Sequence, residues 1–233
     1  MTTPPRPLPR VSRQDPLPPP GPGDAPHVWL ARTPDDEVDA ERAGVLDAGE
    51  VATARGFRNG SDRRTYVEVH VGLRVLLGAY LGMSPRDVPL VRRPCVRCGE
   101  PHGRPAVEGD PIHFSLSHTD GLGLLAFAAS PVGVDVEKVP TPETVAEIAP
   151  SLHPRETQEL TAWPLPDRPR AFARTWARKE AYLKGIGTGL SRGLALDYLG
   201  SAEPCAARLP GWHITDIPVG PTHVAAVALA VRP

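Results

Sequence analysis

Strand-like and helix-like segments follow one another in this 233-residue chain in the order strand, helix, strands, and then again strand, helices, strands. Such an order reads as an α+β protein built from two halves of similar plan rather than as one alternating β/α domain. The apolar run His27, Val28, Trp29 and Leu30 suits a first strand. Next, SDRRTYVEVHVGLRVLLGAYLG sets Tyr66, His70, Leu73, Leu77, Tyr80 and Leu81 at helical spacing, with Ser61 or Asp62 as the cap and Gly82 as the stop. Strands are expected from Ile112 to Ser117, from Leu122 to Ala129 and, after a Ser130-Pro131 turn, over the strictly alternating VGVDVEKV. Short helices near 142–149 and 154–162 lead to a longer one capped by Asp167, with Pro169 in its first turn and Gly185 just past its end. Two strands, near 211–218 and 222–231, close the chain.

Composition narrows the setting. Residues 1–26 hold 10 of the 30 prolines and few large apolar side chains, so they are expected to be a disordered tail, with a polyproline ligand as the functional alternative. The folded halves are then 27–130 and 131–233, with a ligand site where they meet. Lys plus Arg (26) nearly balance Asp plus Glu (27), which gives no reason to expect nucleic acid or an acidic membrane as partner. Three cysteines and no signal-like opening point to a reducing cytoplasm, and the longest apolar stretch, Leu122 to Ala129, is too short to span a bilayer.

Four groups of residues can carry chemistry. Asp135 and Glu137 share one face of their strand while Val134 and Val136 point into the core. Like charges side by side repel, and a divalent cation such as Mg²⁺ would relieve that repulsion; a solvated strand face is the plainer alternative. In WARKEAYLK, Glu180 and Lys184 lie four apart with Trp176 a turn earlier, which is either an ordinary helix ion pair or part of a site bordered by the glycine-rich GIGTGLSRG. Ser117 and His118, in SLSHTDG, offer a hydroxyl and an imidazole to a phosphate oxygen, or else a turn cap and a surface histidine. Arg55, Arg63, Arg64 and Arg104 have guanidinium forks suited to phosphate, although spacing alone does not single them out.

Taken in order, SLSHTDG, GVDVEK and WARKEAYLK resemble the signatures of the Sfp-type 4′-phosphopantetheinyl transferases: an S-H-x-x-G turn, a G-x-D-x-E strand and a W-x-x-K-E-A-x-x-K helix. The resemblance spans about Val28 to Val231. It implies two pseudo-symmetric α+β halves with coenzyme A held between them, and transfer of its phosphopantetheine arm to a serine of an apo acyl or peptidyl carrier protein, with release of 3′,5′-ADP. By motif position, Asp135, Glu137 and Glu180 would hold Mg²⁺ against the pyrophosphate. Glu180 would also be the general base and Lys184 would stabilise or protonate the departing phosphate. Ser117, His118 and Arg104 would touch the nucleotide phosphates, with Arg55, Arg63 and Arg64 as further coenzyme A contacts. Carriers of polyketide and nonribosomal-peptide synthesis are the expected acceptors, and a chain with both halves of its cleft is expected to be a monomer. The rival readings are a coenzyme A-binding relative that has lost transfer and a non-catalytic interaction module. In CVRCGEPHG, Cys95, Cys98 and His102 supply three potential zinc ligands without a fourth, so a tight reduced loop is the reading preferred over a metal.

Overall fold

The structure is a computed structural model, and it describes residues 4–8, 16–33, 44–96, 98–100 and 103–231. Its elements in chain order are β1 (Arg6–Pro7), β2 (His27–Arg32), α1 (Ala48–Gly56), α2 (Gly60–Leu81), β3 (Leu90–Arg92), β4 (Pro105–Val107), β5 (His113–Thr119), β6 (Leu122–Ala128) and β7 (Val132–Lys138). They continue with α3 (Pro142–Ile148), α4 (Pro154–Ala162), α5 (Arg168–Ile186), β8 (Trp212–Ile217) and β9 (His223–Ala230). The first sheet runs β1-β2-β6-β5, antiparallel except for the β1–β2 pair; the second runs β7-β9-β8, antiparallel throughout; β3 and β4 form a small ribbon.

Side-chain alternation stacks these elements into layers. On β6, Leu125 and Phe127 face Val69, Leu73, Leu76 and Leu77 of α2. Leu122, Leu124 and Ala126 face the opposite way, against Val132, Val134, Val136, Ala225 and Val227 of the second sheet. The second sheet's outer face, with Val224, Ala226, Ala228 and Ile214, then takes the alanine stripe Ala173, Ala177 and Ala181 of α5. A sheet with one long helix on its outer face thus occurs twice, back to back, in an α+β arrangement. Both faces of β6 and most of β7 are consequently buried. Among the described residues no helix is long and apolar enough to cross a membrane.

Two small-residue contacts set how close α5 comes to β7. A Cβ on Gly133 would lie 1.9 Å from the Ala181 carbonyl oxygen, and one on Gly185 would meet the Trp212 ring at 2.6 Å. Gly185 therefore serves close approach and not termination as expected from sequence: α5 continues to Ile186 and stops at Gly187, in the left-handed region at φ 79°. Asp167 flanks its first turn without a side-chain capping bond. The start of α2 also differs, since the cap is Asn59, whose side chain accepts from Ser61 N at 2.8 Å. Asn, Ser and Asp cap about equally well, so neighbouring candidates are not separable by propensity.

The expectation of disorder over residues 1–26 needs correction for the part described. Arg6 and Pro7 pair with Trp29 and Leu30, Leu8 N donates to Leu30 O at 2.9 Å, and Leu17 N donates to Ala79 O at 3.0 Å. Leu8 and Leu17 pack on the α2 core, Leu8 over Gly72, where a Cβ would come within 2.7 Å of its Cδ1. Two leucines and an edge pairing that tolerates proline suffice to fasten an otherwise polar strap. Leu8→Ala is expected to lower stability by about 1–2 kcal/mol, read as a drop in urea midpoint; an unmoved midpoint would show the strap to be detached in solution.

Candidate active site

Asp135 and Glu137 lie on the face of β7 that is turned to α5, and α5 returns Glu180 and Lys184 to meet them. Asp135 is 2 % exposed, which excludes a solvated strand face. Its Oδ1 accepts from Lys184 Nζ at 2.6 Å and from Ser117 Oγ at 2.8 Å, and the ammonium also donates to Ser117 at 3.0 Å. Ser117 comes from β5 of the first sheet, and one turn of the pleat away Ser115 Oγ accepts from Val134 N at 3.1 Å. The site therefore sits where the edges of the two sheets abut, and β5 and β7 are joined there by serine hydroxyls.

The carboxylates are electrostatically unsatisfied. Asp135 Oδ2 and Glu180 Oε1 are buried without a hydrogen-bond partner. Burial raises the Glu180 carboxyl above the usual range, with the Asp135 charge adding to it. Burial, then repulsion from Asp135, pushes Glu137 up to about 7, although Lys184 and a Trp176 hydrogen bond oppose it. Desolvation likewise raises Asp135 against the pull of Lys184. Three acidic groups held this way favour protons or a cation over bare charge. Hard oxygen donors of this kind suit Mg²⁺, and the two orphaned oxygens are where such an ion would fit. They are not preassembled for one: among the described residues no group of three or more His, Cys, Asp or Glu side chains is close enough to hold a metal ion. Lys184, at Asp135 Oδ1, supplies the neutralising charge instead.

Lys184 also faces a cavity of about 790 Å³ walled by α1, α2, the β3–β4 ribbon, β5 of the first sheet and the end of α5. Of the residues that the sequence marks as coenzyme A contacts, Arg104, His118 and Lys184 line it. Arg104 Nη1 donates to Gly185 O at 3.1 Å and so ties the β3–β4 ribbon to the end of α5. His118 stands edge-on to His70, itself stacked on Tyr66 at 3.8 Å, and burial lowers both imidazoles, leaving them neutral near pH 7. Ser117 points to Asp135 and not into the cavity, so the structure gives it to the carboxylate cluster. Arg55 and Arg63 lie exposed on α1 and α2, and neither they nor Arg64 lines the cavity.

Several lining residues escaped the sequence reading: Asp47 and Glu50 of α1, Tyr66 and His70 of α2, and Arg92 of β3. The D-A-G-E run at 47–50 was a legible signal, because Asp47 and Glu50 make a capping box. Cys95 borders the cavity in a tight turn, with Gly99 N donating to Cys95 O at 2.8 Å and Cys95 N to Glu100 O at 2.7 Å. Cys98 is exposed, and His102 lies outside the described residues, so the three-ligand zinc set has no structural counterpart to weigh.

Comparison with known proteins agrees with this layout. A family model described as the 4′-phosphopantetheinyl transferase superfamily matches residues 131–215, which include β7 and α5. The chain is 31 % identical over 216 residues to 4′-phosphopantetheinyl transferase HetI of Nostoc sp., covering 88 % of this chain and 87 % of HetI. It is 32 % identical over 122 residues to 4′-phosphopantetheinyl transferase Sfp of Bacillus subtilis, covering 51 % and 54 % of the two chains. With the transferase gsp of Aneurinibacillus migulanus it shares 34 % over 134 residues, 54 % and 53 % of each.

Proposed function

The chain belongs to the 4′-phosphopantetheinyl transferase family, enzymes that transfer the phosphopantetheine group, and on that premise we propose the substrates and residue roles that follow. The donor is coenzyme A, the acceptor is a serine hydroxyl of an apo acyl or peptidyl carrier protein, and 3′,5′-ADP leaves. Mg²⁺ is the cofactor. The lobes are 27–130 and 131–233, working as a monomer in the cytoplasm, with carriers of polyketide and nonribosomal-peptide synthesis as acceptors. The observation that carries this reading is the pair of buried, unpartnered oxygens on Asp135 and Glu180 directly behind Lys184 at the cavity wall.

Asp135 and Glu180, with Glu137 beside them, would hold the ion, which when bound neutralises charge on the pyrophosphate oxygens as the bond breaks. Ser117 fixes the Asp135 carboxylate through Oδ1 and leaves Oδ2 to ligate. Glu180, with its raised pKa, is the better base for removing the acceptor serine's proton. Lys184 holds a proton at Nζ next to the leaving phosphate and can donate it as charge develops there. Arg104 and His118 face the nucleotide phosphates, and Arg92 takes the place expected of Arg55, Arg63 and Arg64.

A ligand that binds only the folded protein raises its melting temperature. Coenzyme A with Mg²⁺ is expected to do so by several degrees, and coenzyme A with a chelator by much less. No shift with saturating coenzyme A and Mg²⁺ would remove the donor assignment.

Metal-free stability should also carry the signature of the raised carboxyl groups. The Glu137 carboxyl is pushed from its ordinary 4.5 up to about 7 by folding, so its contribution is complete below 4.5 and is lost as pH rises through 7. Asp135 and Glu180 shift in the same direction. The metal-free melting temperature is therefore expected to fall across that window, and Mg²⁺ to flatten the fall. A metal-free profile that rises there in the wild type but not in Glu137→Gln would contradict the shift.

A further inference from the structure

Arg74 stands in the middle of α2 among leucines and valines and is 2 % exposed, a costly place for a permanent charge. Its guanidinium forks to two carboxylates of another helix: Nε donates to Glu50 Oε2 at 2.6 Å and Nη2 to Asp47 Oδ2 at 2.7 Å. Those acids already cap α1 reciprocally, Glu50 N donating to Asp47 Oδ1 at 2.8 Å and Asp47 N to Glu50 Oε2 at 2.9 Å. Both line the cavity, opposite in sign to Arg92, Arg104 and Lys184. Thr53 of α1 adds a hydrogen bond to Tyr66 of α2. Packing alone would be served as well or better by an apolar residue at position 74. What an apolar residue could not do is offset two negative charges on the wall of a site for a polyanion.

We propose that Arg74 is a positioning residue for coenzyme A: it holds α1 in place as a cavity wall and cancels the carboxylate charge that this wall turns toward the phosphates. The proposal rests on the reading of the cavity as the coenzyme A site. A purely structural tie between α1 and α2 makes a different forecast, because a change on either side of it would weaken binding or leave it unchanged and never tighten it. Charge cancellation requires opposite signs.

Calorimetric titration of coenzyme A with Mg²⁺ into the wild type, Arg74→Gln and the double variant Asp47→Asn/Glu50→Gln separates the two. Arg74→Gln is expected to bind about tenfold more weakly and the double variant about threefold more tightly. Amide oxygens in the double variant still accept from the guanidinium, so that arm stands even if Arg74→Gln does not fold. Weaker binding by the double variant, or binding by Arg74→Gln within twofold of wild type, overturns the proposal. A wild type that takes up no coenzyme A overturns the assignment of the cavity itself, and this inference with it.

Discussion

Glu180→Gln is expected to melt at or above the wild-type temperature and to transfer at least ~10³-fold more slowly. The two effects share one cause. Glu180 Oε1 is buried without a partner, and burial together with the Asp135 charge raises its carboxyl. A neutral amide of the same shape relieves that strain, so stability does not suffer. It can neither ligate Mg²⁺ as a carboxylate does nor accept the serine proton, so turnover does. Asp135→Asn should lose activity on the same scale, but it breaks the Lys184 pair and is the less clean of the two. Calorimetry and single-turnover transfer on the same preparations check both halves, and activity within tenfold of wild type would discard the role given to Glu180.

Gly133→Ala is expected to yield little or no folded protein, with a loss of more than ~3 kcal/mol in any that forms. Its Cβ would meet two backbone atoms, Ala181 O at 1.9 Å and Gly185 N at 2.5 Å, neither of which can swing aside like a side chain. Relief requires β7 and α5 to separate, and that separation pulls Asp135 and Glu137 away from Glu180 and Lys184. Gly56→Ala is the matched control: its Cβ meets nothing within 4 Å, and ~0.5–1 kcal/mol of gain is expected at the end of α1. A Gly133→Ala protein with a wild-type denaturation midpoint would show that the helix and strand are not in the contact described.

The elements that periodicity reads well are those whose burial is one-sided or whose alternation is strict. The body of α2 and the facing of Asp135 and Glu137 on one side of the alternating β7 were legible for that reason, and β6, buried on both faces, was legible as a short continuous apolar run. Tertiary contact decides the rest. Gly185 looked like a helix stop because glycine usually is one, but its missing Cβ makes room for Trp212. Ser117 looked like a phosphate ligand, yet the partner that claims it, Asp135, lies on a strand of the other sheet. Arg55, Arg63 and Arg64 shared a side-chain chemistry with Arg92, and only the placement of the β3–β4 ribbon distinguishes the one at the cavity. The N-terminal strap was misjudged because composition averages over residues, whereas Leu8 and Leu17 each find a socket. The α1 capping box was readable and was passed over.

Intact-mass spectrometry of an apo carrier protein, incubated with this protein, coenzyme A and Mg²⁺, addresses the proposed reaction most directly. One phosphopantetheine group should be gained per carrier on its acceptor serine, with 3′,5′-ADP formed in equal amount, and neither should appear when the cation is chelated. An unmodified carrier in the complete mixture, from a preparation that coenzyme A demonstrably stabilises, would contradict the assignment of transfer to the Asp135, Glu180 and Lys184 cluster.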